Sequence, residues 1–439
     1  MTFYAAEEET LDRDALDRLQ RRKLSDMLKV VLASNVFYTR KLAGVRFDPL
    51  RDALDRLPVT TRGDLQENQA EHPPYGSNLT YPPRRYVRMH QTSASTGAAP
   101  LRWLDTHESW AWFKHCWAIL FHAAGIQPAD RFVFPFSFGP FVGFWAAFES
   151  AVDLGNLSIA AGGMTTSARL RLILDHAATV ICCTPTYALR MAEVAAAEGL
   201  DIARSPVRAL IVAGEPGGNI PTTRSRIEAA WGARVFDHTG MTEIGSCGFE
   251  CAEAPGGVHV IESEFIPEVI DPATGAAVPE GEIGELVLTN LGRWGSPLIR
   301  YRTGDQVRML RRRCACGRWF ARLDGGILGR TDEMLVIRGN NVFPSAIEEI
   351  VRGFDEAVEF RLMVDRGGAL AQLRIEVEAR AGADSVRLEQ RVGDAVRDRL
   401  HFRPEVSIVT PGTLPRFEMK ARRVVYADSG TAAPKSPAR

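Results

Sequence analysis

Between residues 108 and 232, amphipathic helical stretches alternate with short, wholly apolar runs, and that alternation leaves few folds open to the chain. A chain that repeats helix, buried strand, helix, buried strand covers both faces of a parallel sheet, so an α/β layer is expected. TTSARLRLILDHAA places Leu170, Ile173, Leu174 and Ala177 on one helical face, and VICCT then reads as a buried strand. VRALIVAG reads as a second strand, followed by a helix with Pro221 suited to its first turn and Gly232 to its C-terminal cap. RVFDHTG completes the series as a third strand running into a loop.

The periodicity changes after about residue 255. EIGELVLTNL and PLIRYRTGDQVRML alternate apolar and polar residues, the pattern of half-exposed antiparallel strands, so a β-rich subdomain is expected around 245–325. Ahead of the α/β layer, residues 8–42 are charged and helical in period and lead into the turn-rich EHPPYGSNLTYPP. GRTDEMLVIRGNNVFPSAIEEIV opens a last segment with strand, helix, strand and helix patterns. The fold expected is α/β: a large N-terminal domain over 1–330 and a small mobile α+β domain over 331–428. The tail, 429–439, lacks the apolar content to fold and is expected to be disordered. A length of 439 residues suits two or three such units.

The 53 basic residues nearly balance the 54 acidic ones, which removes the long-range electrostatic case for nucleic acid or an anionic membrane. No apolar stretch approaches the roughly 20 residues that span a bilayer, and the N-terminus is acidic where a signal peptide is basic and then apolar. A cytoplasmic protein acting on a small molecule is the expectation. Seven cysteines, an odd number in a large chain, do not form a disulfide framework.

TSASTG (92–97) combines hydroxyls and small residues, so backbone N–H and side-chain O–H donors can approach an anionic oxygen closely. A solvated Ser/Thr loop has the same composition. A Walker A loop is excluded, because its lysine is missing. VAGEP (212–216), FDHTGMTE (236–243), YRTGD (301–305), LGRTDEMLVIRG (328–339) and PRFEMKARRV (415–424) follow in that order. With these motifs the chain resembles the adenylate-forming superfamily of acyl-CoA synthetases, and within it the phenylacetate-CoA ligase-like branch, so an aryl-CoA ligase acting on a benzoate-, anthranilate- or phenylacetate-like acid is expected.

The resemblance implies ATP-dependent conversion of an aryl carboxylate to an acyl adenylate, then transfer to coenzyme A, with Mg²⁺ as cofactor. By resemblance Thr92, Ser93, Ser95, Thr96 and Gly97 would wrap the β- and γ-phosphates. Ala98 and Ala99 stand where relatives carry a lysine, and the nearby Arg102 is a substitute to consider. Glu243 matches the Mg²⁺ ligand, a hard carboxylate oxygen, and Thr242 the residue bonded to the α-phosphate. Gly214, Glu215, Pro216, Asp237, His238 and Thr239 would border the adenine, although relatives place an aromatic residue at Thr239. Asp305 would accept both ribose hydroxyls, with Arg330 beside the domain junction. Asp332 would be the hinge and Lys420 the mobile-domain cation that bridges carboxylate and α-phosphate.

The acid would sit in a flat apolar slot made by Phe136, Phe138 and Phe141 with Gly214 and Gly240, suited to an aromatic ring. Core packing is the competing role for each phenylalanine. His238 would contact a ring substituent or cap a strand. Cys314 and Cys316 in CACG, with Cys251 and His259 in FECAEAPGGVH, make a donor set typical of a closed structural Zn²⁺ site, against four unrelated residues. Some relatives in this branch carry the same arrangement, and dimers are common there, so a homodimer is a further expectation. Two alternatives stay open: transfer of the acyl group to an amine, a hydroxyl or a carrier-protein thiol, and a non-catalytic scaffold binding nucleotide and zinc.

Overall fold

The computed structural model describes residues 2–92, 99–337, 340–365, 371–418 and 420–427. Asp12 caps the helix Arg13–Ser34 by accepting a hydrogen bond from the backbone of Ala15, and the helix buries Leu16, Leu19, Leu24, Met27, Leu28 and Val31. Asn35 caps the next helix, Val36–Lys41, in the same way. β1 (Tyr86–Gln91) and β2 (Arg102–Thr106), which flank the hydroxyl-rich segment in sequence, pair as an antiparallel hairpin. Ser93, Ser95, Thr96 and Gly97 lie outside the described residues, as does the tail 429–439.

The expected parallel layer is formed by β3 (Arg131–Phe134), β4 (Leu157–Ala160), β5 (Val180–Cys183), β6 (Ala209–Val212) and β7 (Arg234–Met241), in the order β4-β3-β5-β6-β7. Both faces are covered. Ile181, Cys183, Leu210 and Val212 pack with the helices Thr166–Asp175, Pro185–Ala197 and Pro221–Trp231, while Val180, Cys182, Ala209 and Ile211 belong to the core that holds Trp117 and Phe121. This two-sided burial is why these strands read as continuous apolar runs. Pro221 opens its helix and Gly232 ends it in the left-handed conformation, φ 61°. The helix Thr166–Asp175 stops at Asp175, so Ala177 falls beyond it at φ 47°, off the face that Leu170 and Ile173 bury.

Three expectations change here. β7 continues through His238 and Gly240 to Met241, and the chain turns over residues 242–244 into β8 (Gly245–Phe249). The β-rich part is also continuous with the parallel layer. β8, β9 (Gly257–Val260), β10 (Phe265–Ile270), β11 (Ile283–Asn290), β12 (Tyr301–Leu310) and β13 (Arg322–Asp324) extend the sheet in antiparallel pairings, and β14 (Gly329–Arg330) pairs with β12. β11 is buried after Ile283 rather than half-exposed, because Leu286 and Leu288 pack into the same core as the N-terminal helix. Gln20 of that helix donates from Nε2 to the carbonyls of Glu262 and Phe265, both at 2.9 Å.

The C-terminal segment is α+β with its own core, including Ile347, Phe360, Ile375 and Val392. Its sheet comprises Ala357–Asp365, Gln372–Ala379, Glu405–Val409 and Val424–Ala427, with helices Pro344–Arg352 and Ser385–Leu400. It sits against the α/β layer through polar contacts. Thr222 Oγ1 donates to the Glu349 carbonyl at 3.0 Å, Arg226 Nη1 to the Ala357 carbonyl at 2.9 Å, and Arg169 pairs with Glu418 at 3.1 Å.

Candidate functional site

Glu243 lies in the turn between β7 and β8, and that turn is fixed from beneath. Arg293 and Asp105, both fully buried, form an ion pair at 2.7 Å. The same guanidinium donates from Nη1 to the carbonyls of Thr242 (2.6 Å) and Glu243 (3.1 Å). A buried arginine is tolerated because a carboxylate and two carbonyls satisfy its donors. Tyr301, the first residue of β12, donates its hydroxyl to Glu243 Oε1 at 2.8 Å. Burial, and next the neighbouring Glu243 charge, push the Tyr301 phenol well up, so it stays protonated and remains a donor.

Arg62 joins this turn to the β1–β2 hairpin. It is the first residue of the helix Arg62–Glu71, capped by Thr61. Its Nη2 donates to Thr92 Oγ1 at 3.2 Å and its Nη1 lies 3.5 Å from Glu243 Oε1. Thr92 is held from the other side by the Leu101 backbone, which donates to Oγ1 at 3.0 Å. A cation therefore stands between the first residue of the loop and the candidate Mg²⁺ ligand. Arg102, the substitute considered from sequence, is turned away and donates to the Pro74 carbonyl at 2.9 Å.

Asp305 forms the third corner. It is buried on β12, and Arg330 on β14 pairs with it at 3.0 Å while holding Asp332 at 2.8 Å. Burial pushes the Asp305 carboxyl up to about 6; Arg330 and then Lys420 pull it down, and Asp332 and Glu243 push it up. Lys420 is exposed, with Nζ 3.9 Å from Glu333 in the single turn Thr331–Glu333 that contains Asp332. Thr92, Glu243, Asp305, Arg330, Asp332 and Lys420 thus occupy one polar region.

The residues expected around the adenine are divided. Gly214 takes φ 94° at the turn after β6, a conformation that favours glycine. Asp237 accepts from Asn219 Nδ2, and burial followed by Glu250 pushes its carboxyl up to about 7. Thr239 faces Cys247, whose thiol donates to the Thr239 carbonyl at 3.4 Å. Glu215 is occupied elsewhere: Oε1 accepts from the backbone of Thr186 at 2.9 Å and Oε2 from that of Ala421 at 2.6 Å. It belongs to the contact with the C-terminal segment because both its oxygens already hold backbone donors, and Pro216 follows it in the same turn.

The phenylalanine-rich loop after β3 is tied to the hairpin, since the Gln91 backbone donates to the Pro140 carbonyl at 2.7 Å. Phe136 is buried edge-to-face against Phe138 and Phe144, both at 5.5 Å, and a Cβ on Gly143 would stand 2.2 Å from the Phe136 ring. Phe138 also packs on Trp145 at 4.6 Å. Phe136 and Phe138 therefore serve the core as well as any slot, while Phe141 is half-buried at the loop's end. His238 is buried against Trp117 at 4.3 Å. Its Nδ1 is 2.7 Å from the Gly248 carbonyl, so Nδ1 carries the proton. Burial lowers its pKa to about 4, which leaves Nε2 a neutral acceptor beside Gly240.

Cys251, His259, Cys314 and Cys316 converge, their ligand atoms lying within 4.8 Å of one another. Cys251 Sγ is 3.7 Å from His259 Nε2 and 3.8 Å from Cys314 Sγ, and Cys316 Sγ is 3.8 Å from His259 Nε2. Zn–S bonds of about 2.3 Å and Zn–N bonds of about 2.0 Å give tetrahedral edges of about 3.8 and 3.5 Å, so the donor set fits Zn²⁺. His259 Nδ1 lies 3.1 Å from the Phe320 carbonyl, the outer partner that orients a ligating imidazole. Cys116, Cys182, Cys183 and Cys247 are buried and free.

Arg62, Tyr301, Arg293 and Asp105 add to the residues expected from sequence. No local pattern marks Arg62, Arg293 or Asp105, for Arg62 meets Thr92 across 30 residues and Arg293 meets Asp105 across 188; Tyr301 stands in YRTGD, but its contact with Glu243 appears only in the fold.

The AMP-binding enzyme family matches residues 17–292, and the AMP-binding enzyme C-terminal domain matches residues 339–427. A phenylacetate-coenzyme A ligase from Thermus thermophilus is 32% identical over 450 residues, covering 96% of this chain and 99% of the relative. A structure of 2-hydroxyisobutyryl-CoA ligase in the postadenylation state, in complex with R3-HIB-AMP, superposes with a TM-score of 0.90 at 29% identity, over 96% of this chain and 91% of that one. The same ligase in its thioesterification state, with 2-HIB-AMP and CoA, superposes at 0.72 over the same coverage and identity. The chain therefore belongs to the AMP-binding enzyme family, in the phenylacetate-CoA ligase-like branch of the adenylate-forming superfamily, a branch of AMP-forming acid–CoA ligases.

Proposed function

We propose that this chain activates a phenylacetate-like aromatic acid, forming an acyl adenylate from ATP with release of pyrophosphate and then passing the acyl group to the thiol of coenzyme A. The observation that carries this reading is the convergence of Thr92, Arg62, Glu243, Asp305, Arg330 and Lys420 on one polar region. An oxygen of the acid attacks the α-phosphorus, pyrophosphate leaves, and the thiol later attacks the acyl carbon and displaces AMP.

Thr92, with Ser93, Ser95, Thr96 and Gly97, would meet the β- and γ-phosphates, and Arg62 would supply the cation that the loop lacks. Thr242 would bond the α-phosphate. Glu243, oriented by protonated Tyr301, would hold Mg²⁺, which neutralises phosphate charge when bound. Asp305 would accept the ribose hydroxyls, with Asp237, His238 and Thr239 near the base. Lys420 would stabilise the charge that builds between the acid and the α-phosphate. Phe138, Phe141, His238, Gly214 and Gly240 would border the acid. Cys251, His259, Cys314 and Cys316 would hold a Zn²⁺ with no open position, a staple rather than a catalyst. The large domain would run to Arg330 and the mobile one over 331–428, with Asp332 as the hinge between them. ATP and coenzyme A as substrates suit a cytoplasmic enzyme.

Likeness to 2-hydroxyisobutyryl-CoA ligase favours a second reading, a small aliphatic hydroxy acid. Acid-dependent ATP–pyrophosphate exchange with phenylacetate, benzoate, anthranilate and 2-hydroxyisobutyrate decides between them, and product analysis with and without coenzyme A identifies the acceptor. Exchange with an aryl acid is the expected result. Exchange with 2-hydroxyisobutyrate alone supports the second reading, and none with any of the four overturns both.

A further inference from the structure

Glu215 is half-buried at the turn after β6, and its carboxylate joins two parts of the molecule. Oε1 accepts from the Thr186 backbone in the first turn of the helix Pro185–Ala197, a helix whose side-chain cap is Thr184. Oε2 accepts from Ala421, the residue directly after Lys420. Three further contacts lie around it. Arg423 donates to Thr186 Oγ1 at 3.3 Å, Arg169 pairs with Glu418 at 3.1 Å, and Arg416 pairs with Glu193 at 3.3 Å. Arg416, Glu418, Ala421 and Arg423 are thus fastened along one helix and its neighbours, and Lys420 stands among them with its ammonium 3.9 Å from Glu333.

The closer superposition on the postadenylation structure than on the thioesterification structure gives this contact a direction. The Thr186 bond lies wholly within the large domain and survives a rearrangement of the C-terminal segment. The Ala421 bond crosses between them and must break. A charged acceptor makes a stronger bond than a neutral one, and its rigid fork fixes where the next backbone unit lies.

We propose that Glu215 is a positioning residue for adenylation: by accepting the Ala421 N–H it docks the segment that carries Lys420, and it releases that segment when the enzyme turns to thioester formation. This rests on the adenylation role proposed for Lys420. Glu215 itself need touch neither substrate nor nucleotide.

The test compares the full-length chain with Glu215→Ala and Glu215→Gln. Hydrogen exchange in 414–427 is expected to quicken in Glu215→Ala and less so in Glu215→Gln, which keeps one acceptor oxygen, while exchange in 234–249 stays at the wild-type rate and confirms an intact fold. Phenylacetate-dependent pyrophosphate exchange is expected to fall at least tenfold further than thioester formation from supplied phenylacetyl adenylate. Unchanged exchange in 414–427, or an equal fall in the two half-reactions, overturns the proposal. A wild-type chain inactive on phenylacetate counts against the substrate reading alone, and the hydrogen-exchange comparison still decides the role of Glu215.

Discussion

Lys420 is an exposed side chain, and the role proposed for it depends on where its segment is docked. Lys420→Ala should slow acyl-adenylate formation by about 10² to 10³, the cost of one preorganised charge-stabilising donor. Thioester formation from supplied adenylate should fall far less, and equal losses would contradict the assignment. Asp305 provides a pH signature. Burial pushes its carboxyl up to about 6, so it takes up a proton as the pH drops through that value and would no longer offer an anion to the ribose hydroxyls proposed for it. ATP affinity measured by calorimetry should therefore weaken below about pH 6, by up to roughly tenfold per unit, and Asp305→Asn should flatten the dependence. Glu243, Asp305 and Lys420 can be singled out as candidates from sequence because each stands in a short ordered motif. Arg62 was not, because a lone arginine after a helix cap resembles any first-turn residue. Glu215 was legible as part of a motif, yet its partners, Thr186 and Ala421, come from distant segments that only the fold brings together.

At the scale of elements, the parallel strands were readable because burial on both faces leaves no polar interruption. The antiparallel strands misled for a related reason. Polar residues in β11 and β12 such as Glu285, Thr303 and Gln306 are buried too, paired with Arg302, the Leu286 carbonyl and Thr331. An alternating pattern therefore marked internal bonding rather than solvent. Helix ends were better announced. At Gly232, alanine would strain a left-handed residue by about 1–2 kcal/mol and set its Cβ 2.5 Å from the Ala203 carbonyl, so Gly232→Ala should lower the melting temperature measurably by calorimetry. The cysteine cluster joins the β8–β9 connection to the loop before β13. Cys314→Ser should remove about one equivalent of zinc by metal analysis and lower the melting temperature, and unchanged metal content would refute the site.

For the whole molecule, the sequence indicated a large and a small unit but not that the large one is spanned by a continuous sheet. Strand order is a long-range property, and β13 lies between β9 and β12 although some 60 residues separate it from β9 in the chain. The buried ion pair of Arg293 and Asp105 works at this scale, binding β2 to the segment after β11. Arg293→Met should destabilise the chain by about 3–5 kcal/mol in denaturant titrations, because Asp105 would be left charged without a partner.

The turn carrying Glu243 grows from the edge of the parallel layer, whereas Tyr301 and Asp305 ride on an antiparallel strand four ladders away. A nucleotide held at both ends, as proposed, would behave like a rivet through the sheet. Its occupancy should raise the thermal resistance of the whole large domain as a unit, by about 2.7 kcal/mol at a hundredfold excess over its dissociation constant, with no separate melting step for either half.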